Sequence, residues 1–199
     1  MSDQKVLHPD GTTKKLEDWL NLQDSERGDL IDGRIYLQSA PSKEHSFIQS
    51  DLRAVLQPLR TKSKQPDTTD SWRFATEVGV IYPTDCKGEQ ACTHDLAGWK
   101  SSRMKSLDSG THIRLRPDWV CEIVSSNWQN DTIKKRALLE RNHVPYYWLI
   151  SPQNKNISVL ILDEKGNYSI DKEYSSVIGL VRIEPFQEIE IDLGSVFDY

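Results

Sequence analysis

Residues 117–150, PDWVCEIVSSNWQNDTIKKRALLERNHVPYYWLI, constrain the fold of this chain more than any other stretch. Trp119 to Val124 is an apolar, β-rich run that reads as a buried strand, with one acid, Glu122, inside it. A turn-prone Ser-Ser-Asn-Trp-Gln-Asn follows, then Asp131 opens a basic helical segment that Val144-Pro145 closes. Tyr146 to Ile150 reads as a second buried strand. This strand–helix–strand unit, with a carboxylate in its first strand and lysines on its helix, has the form of an active-site frame. An unpaired acid in a buried strand is costly, so a cation, a donor or a metal normally stands beside it.

The remaining segments supply the rest of one α/β domain with a mixed sheet. Leu16, Trp19 and Leu20 lie at i, i+3, i+4 with Thr13 as N-cap, which predicts a short helix. Residues 29–37, DLIDGRIYL, are two short strands around Asp-Gly, the strongest hairpin signal in the chain. Ser42 can cap a longer helix whose Ile48, Leu52, Val55, Leu56 and Leu59 form one apolar stripe. Trp72 to Tyr82 reads as a strand with a break at Gly79, residues 83–94 as a polar loop, and 95–99 as a brief apolar run led by Asp95. Residues 100–116 have little periodicity and predict an irregular excursion. Strands are expected at 157–162 and 168–174, joined by the turn at 164–167, and again at 177–183 and 188–193. The domain then spans 1–199, with a core of about 16–165 and extra C-terminal strands in 166–193.

Charge narrows the function. A net charge of −5 argues against a protein that coats nucleic acid by bulk positive charge, but leaves room for an enzyme with a local basic groove or with acids that hold divalent metal. Three cysteines without framework spacing fit reduced thiols. The sequence has no apolar run near the ~20 residues of a membrane span, and its N-terminus lacks an apolar signal region, so a cytoplasmic location and no membrane partner are expected.

Asp118 and Glu122 lie on one face of their strand but roughly 13 Å apart at ~3.3 Å per residue, too far to share an ion. Asp118 is better read as the residue that starts the strand after Pro117, and Asp95, at the edge of a neighbouring apolar run, is the better partner for Glu122. An acid on one strand, then Glu-x-x on the next and a helix after it, resembles the PD-(D/E)XK nuclease superfamily. DLAGWKSSRM, RPDWVCEIVS, Asp131 followed by Lys135, and VPYYWLI are similar to the Uma-type "putative restriction endonuclease" family of bacteria, as is DLIDGRIYLQSAPSKEHSFI with its Gly hairpin and His-containing helix.

The resemblance, over roughly residues 16–165, implies a restriction-endonuclease-like core: a mixed central sheet flanked by helices. Asp95 matches the first metal-binding acid, with His94 where the superfamily prefers proline. Glu122 matches the second acid, and the Ile123 carbonyl would complete the metal shell. Val124 stands where the motif carries its lysine, which matches Lys135 on the following helix instead, with Lys134 as the adjacent substitute. Asp131 matches an acid one turn earlier, and Glu44 and His45 match a place where related nucleases put a polar group near the metal. Tyr146 stands where family members commonly carry an acid.

The chemistry so implied is hydrolysis of DNA phosphodiesters, with RNA as another substrate class. Mg²⁺, or Mn²⁺ in its place, would neutralise charge and activate water, and the lysine would orient water or stabilise developing charge. A homodimer is the common arrangement among nucleases that cut both strands. The rival reading is a nuclease-like module without catalysis that binds nucleic acid or protein, motivated by the displaced lysine and the net acidity.

Each residue also has a plainer reading. Glu122 could be a structural acid paired with a buried cation, Asp95 a turn or cap acid, and Glu44 and His45 a solvated helix end. For Asp131 a surface i, i+4 pair with Lys135, worth ~0.3–0.5 kcal/mol, or a helix cap, is preferred over a role in chemistry. Cys86, Cys92 and His94, completed by Asp95 or Cys121, raise a zinc reading, but C-x5-C-x-H is not a standard ligand spacing. Ser125-Ser126 as a hydrolase nucleophile lacks the Gly-x-Ser-x-Gly context.

Overall fold

The computed structural model describes residues 13–23, 26–60, 71–85, 88–104, 110–124 and 128–199. In chain order its elements are α1 (Leu16–Leu20), β1 (Arg27–Ile31), β2 (Arg34–Gln38), α2 (Lys43–Val55), β3 (Trp72–Asp85), β4 (Gly88–Lys100), β5 (Trp119–Ile123), α3 (Arg136–Arg141), β6 (Tyr146–Ser151), β7 (Asn156–Leu162), β8 (Tyr168–Ser175), β9 (Leu180–Ile183), β10 (Phe186–Asp192) and α4 (Leu193–Val196). An eight-stranded mixed sheet runs β2-β1-β4-β5-β6-β7-β8, with β3 also paired to β4; β9 and β10 form a separate hairpin. No helix among the described residues is long and apolar enough to cross a membrane.

The 117–150 unit folds as the alternation of its residues dictates. β5 and β6 pair in parallel, Trp119 opposite Tyr146 through Ile123 opposite Ile150, and the helix between them makes the crossover. Trp119, Cys121 and Ile123 pack with Ile48 and Leu52 of α2 on one face. Val120 packs with Leu138 and Leu139 of α3 on the other, and Glu122 points the same way. The β1–β2 hairpin turns at Asp32 (φ 50°) and Gly33 (φ 71°), the doubly left-handed turn that matches strand twist. Ser42 caps α2, its hydroxyl accepting from the His45 N–H at 3.2 Å.

Several expectations are corrected. Residues 83–94 are not a polar loop: β3 runs to Asp85 and β4 starts at Gly88, with Gln90, Ala91, Cys92 and His94 all buried. The polar members of that stretch read as loop because their partners lie far off in sequence; Gln90 Oε1, for example, accepts from the Asp32 N–H at 3.2 Å. Thr13 does not cap α1; Lys15 does, its N–H donating to Asp18 Oδ2 at 2.8 Å. Val177 lies in a short 3-10 turn, so the last strands are β9 and β10. Within 100–116, Ile113 pairs with Val80 outside the named strands, and residues 105–109 lie outside the described ones.

Strand β3 is interrupted at Glu77, not Gly79. Trp72 and Phe74 pack on the α2 face, whereas Val78, Val80 and Tyr82 pack on the α3 face. Since all five are even-numbered, the in–out alternation resets between them. Strand β4 resets opposite, with Cys92 on the α3 face and Leu96 on the α2 face. Glu77 has φ 49°, and the β3–β4 pairing, regular from Trp72 to Tyr82 on either side of this point, skips Glu77 and Asp95.

A notch opens beside this reset. β1 meets β4 at Leu30–Ala91, and β5 meets it from Leu96–Cys121 onward. In between, side chains satisfy backbone polar groups of β4. The Thr93 N–H donates to Asp29 Oδ1 at 3.0 Å, its carbonyl accepts from Gln38 Nε2 at 3.1 Å, and the Asp95 carbonyl accepts from Gln49 Nε2 at 2.8 Å.

Candidate active site

A cleft of about 300 Å³ lies at the notch, its lining including His45, Glu77, Asp95, Glu122, Asp131 and Lys135. Two polar networks meet there.

The first is buried and lies on the α3 face. Glu122, 1 % exposed, accepts from His94 Nδ1 on Oε1 at 2.5 Å and from Lys135 Nζ on Oε2 at 3.0 Å. Tyr82 Oη is 2.7 Å from His94 Nε2. Burial, reinforced by the Lys135 ammonium, lowers the pKa of His94 to about 3, so the ring is neutral. Burial also holds the Tyr82 phenol well above its usual range. Where Glu122 is ionised beside the Lys135 ammonium, Nδ1–H donates to it and Tyr82 donates to Nε2.

Lys135 Nζ is also 3.5 Å from Asp131 Oδ1 and 3.6 Å from Asp29 Oδ2, and donates to the Thr93 carbonyl at 3.2 Å. Asp29 is held in turn by the Asn130 amide, which donates to Oδ2 at 2.7 Å. Burial works against the Lys135 ammonium, but Asp29, Glu122 and Asp131 outweigh it and raise its pKa well above the ordinary value. Burial pushes Glu122 and Asp131 well above the carboxylate range, with Lys135 opposing it. The turn that delivers these groups, Asn130–Lys135, is π-helical, and Asn130, Asp131 and Lys135 are all buried in it.

The second network, on the α2 side, is more open. His45 Nε2 is 3.0 Å from Asp95 Oδ2, which also accepts from the Ile123 N–H at 2.7 Å. Glu77 Oε1 accepts from Gln49 Nε2 at 2.8 Å, and Oε2 accepts from the Arg27 guanidinium. One ligand atom from each of His45, Glu77 and Asp95 can be chosen so that all lie within 4.8 Å of one another. Burial alone would raise the pKa of Asp95, but His45, Lys135 and the Ile123 N–H bring it below the usual value. Desolvation, the largest single influence on His45, lowers its pKa, but the hydrogen bond to Asp95 together with the charges of Asp95, Glu77 and Glu122 outweighs it and leaves the pKa raised.

Among the sequence-derived candidates, Asp95, Glu122, Lys135, Asp131, His45 and Ile123 line one cleft. Glu44 is exposed in the first turn of α2 and does not line it. Lys134 sits with Nζ 3.9 Å from the centre of the Tyr36 ring, outside the lining. The preferred plain reading of Asp131 is corrected, because its pair with Lys135 is buried and it stands inside the π-helical turn behind the cap residue Gln129. For zinc, Cys92 and Cys121 are buried free thiols, His94 is committed to Tyr82 and Glu122, and Cys86 lies outside the described residues, as do Ser125 and Ser126.

Sequence reasoning missed Asp29, Glu77 and Tyr82 as site residues, and weighed His94 only as a zinc ligand and a departure from the motif. Asp29 carried the same signal that flagged Glu122, an acid inside an apolar run, but was absorbed into a hairpin pattern. Glu77 stood within a run correctly read as strand and had no signal for its left-handed backbone.

No curated protein matches this chain. Among solved structures, it is similar to the crystal structure of a putative nuclease belonging to DUF820 from Anabaena variabilis ATCC 29413, at 21% identity and a TM-score of 0.68. The match covers 92% of this chain and 97% of that one, and establishes the shared fold. Residues 14–193 match the family model Uma2, described as "Putative restriction endonuclease". With nearly its whole length matched, and an acid–acid–lysine cleft in the sheet, the chain belongs to the Uma2 family.

Proposed function

We propose that the protein is a metal-dependent endonuclease that hydrolyses DNA phosphodiester bonds in the Asp95–Glu122–Lys135 cleft. The observation that carries this reading is the Lys135 ammonium, buried against Glu122 at 3.0 Å in the cleft that also presents Asp95.

The residues fit a divalent cation, since His45, Glu77 and Asp95 bring ligand atoms within 4.8 Å of one another and Mg²⁺ or Mn²⁺ accepts such donors. Bound there, the ion would neutralise phosphate charge and lower the pKa of a coordinated water. Lys135, its pKa raised, stays an ammonium near neutral pH. It therefore serves as a fixed positive charge beside the cleft that stabilises developing negative charge, not as a base. Glu122, its pKa raised by burial, is the better proton acceptor, and His94 and Lys135 fix its orientation.

The test is cleavage of supercoiled plasmid in Mg²⁺ or Mn²⁺, with an RNA substrate in parallel. Wild type is expected to nick DNA, and Glu122→Ala and Asp95→Ala to lose the activity. Undiminished metal-dependent cleavage by Glu122→Ala would overturn the proposal. The second reading, a nuclease-shaped binding module, draws on both Glu122 oxygens being occupied by the chain itself. DNA binding without cleavage in any divalent metal would favour it.

A further inference from the structure

We infer that Arg53 and Arg60, with Gln57 between them, hold a backbone phosphate of the nucleic acid on the α2–β3 flank of the cleft. This rests on the nuclease reading above and names the surface along which its substrate leaves the cleft.

Helical register supplies the first argument. His45, Gln49 and Arg53 stand at i, i+4 and i+8, so they share one face of α2. His45 bonds Asp95, and Gln49 bonds Glu77 and the Asp95 carbonyl, so that face borders the cleft. At ~1.5 Å per residue Arg53 stands ~12 Å from His45 along the helix, the axial rise of about three to four base pairs. The acids of the cleft repel every phosphate that no cation meets, so the flanking backbone needs positive charge at about this distance.

The second argument is charge. Arg53 Nη1 donates to Gln57 Oε1 at 3.2 Å and Arg60 Nη1 reaches the same oxygen at 3.5 Å, so two guanidiniums converge on one uncharged amide. Arg27, Arg103, Arg114, Arg136, Arg141 and Arg182 each pair with a carboxylate. Arg53 and Arg60 have none among the described residues, although the chain carries 30 acids against 25 lysines and arginines. Burial and the Arg60 charge lower the pKa of Arg53, as expected of like charges held together without a counter-ion. An anion between them relieves that repulsion, and their N–H forks match a phosphate.

The third argument is rigidity. The Arg53 guanidinium carbon lies 5.6 Å from the centre of the Phe74 ring, which is stacked with Trp72 and edge-on to Trp119 and Phe186. Leu59 seats the 3-10 turn Gln57–Arg60 in the same core. Both arginines therefore project from fixed backbone, and Arg53 loses little side-chain freedom on binding.

The experiment is fluorescence anisotropy of a labelled DNA duplex, with an RNA duplex in parallel, titrated with the full chain. It is run over a series of KCl concentrations with Ca²⁺ in place of Mg²⁺, folding being checked by circular dichroism. Arg53→Gln and Arg60→Gln should each lower the slope of log affinity against log salt by about one, and together weaken binding about tenfold. Arg53→Lys should keep the slope, since it keeps the charge, whereas a role confined to packing on Phe74 would leave the slope unmoved in Arg53→Gln. Arg114→Gln, which removes the same charge beside Glu89, should bind as wild type does. Arg60→Gln carries the test if Arg53→Gln folds poorly, because Arg60 is exposed. An unchanged slope in the Arg53 and Arg60 variants, or an equal change in Arg114→Gln, would overturn the inference and leave the nuclease reading standing. Wild type that binds neither duplex would overturn both.

Discussion

The two networks of the cleft use the same kinds of residue to opposite ends. On the α3 face, Lys135, Glu122, His94 and Tyr82 are closed to solvent and bound to one another. On the α2 face, Asp95 and Glu77 keep side-chain exposures of 14% and 25%. A buried charge cluster must satisfy itself within the fold, so it is rigid and costly to break. A partly solvated one can exchange water for a ligand at small cost. The difference teaches that the closed network is built to hold a lysine and a carboxylate in place, and the open one to receive something from outside.

Removing the cation from the closed side should have the largest effect. Lys135→Met leaves Glu122, Asp29 and Asp131 without their ammonium and is expected to cost about 3–5 kcal/mol in urea unfolding. His45→Gln on the open side should cost about 1 kcal/mol or less, and equal losses would erase the contrast.

Acid sharpens it next. His94 is neutral in the fold down to about 3 but titrates near 6.5 when unfolded, so the unfolded chain binds the extra proton between those values. Its contribution is complete above pH 6.5 and lost as pH falls toward about 3. Wild type should therefore lose about 1.4 kcal/mol per pH unit more than His94→Gln across that window. Parallel curves would mean that His94 is already charged in the fold.

A smaller loss, about 1–3 kcal/mol, is expected for Tyr82→Phe, which leaves His94 Nε2 buried without its donor. The smallest effect belongs to Arg27→Gln, since the Arg27–Glu77 pair is half exposed and worth about 0–1 kcal/mol by denaturation. A loss as large as that of Tyr82→Phe would mean the open side is structural.

What the sequence revealed follows the same division. The parallel pair β5 and β6, the Asp-Gly hairpin and the capped α2 are local patterns, and Asp95, Glu122 and Lys135 stand on them, so their meeting in one cleft was legible. The β3–β4 arms were not. Gln90 and His94 look like loop residues until Asp32, Tyr82 and Glu122 arrive from elsewhere in the chain. Asp29 is invisible as a site residue because its partners outside the β1–β2 hairpin, Thr93, Asn130 and Lys135, lie more than sixty positions away, and Gln38 alone is near. Asp131 was misjudged because an i, i+4 pair in sequence does not reveal that its π-helical turn faces inward. The reset at Glu77 depends on two strands at once, which no single-strand pattern encodes.

The most direct test of this division is anomalous scattering from a crystal of the protein grown with Mn²⁺. A peak beside Asp95 on the open side, with Lys135 still next to Glu122, is the predicted result. A cleft without a peak, or a peak that displaces Lys135 from the closed network, would contradict it.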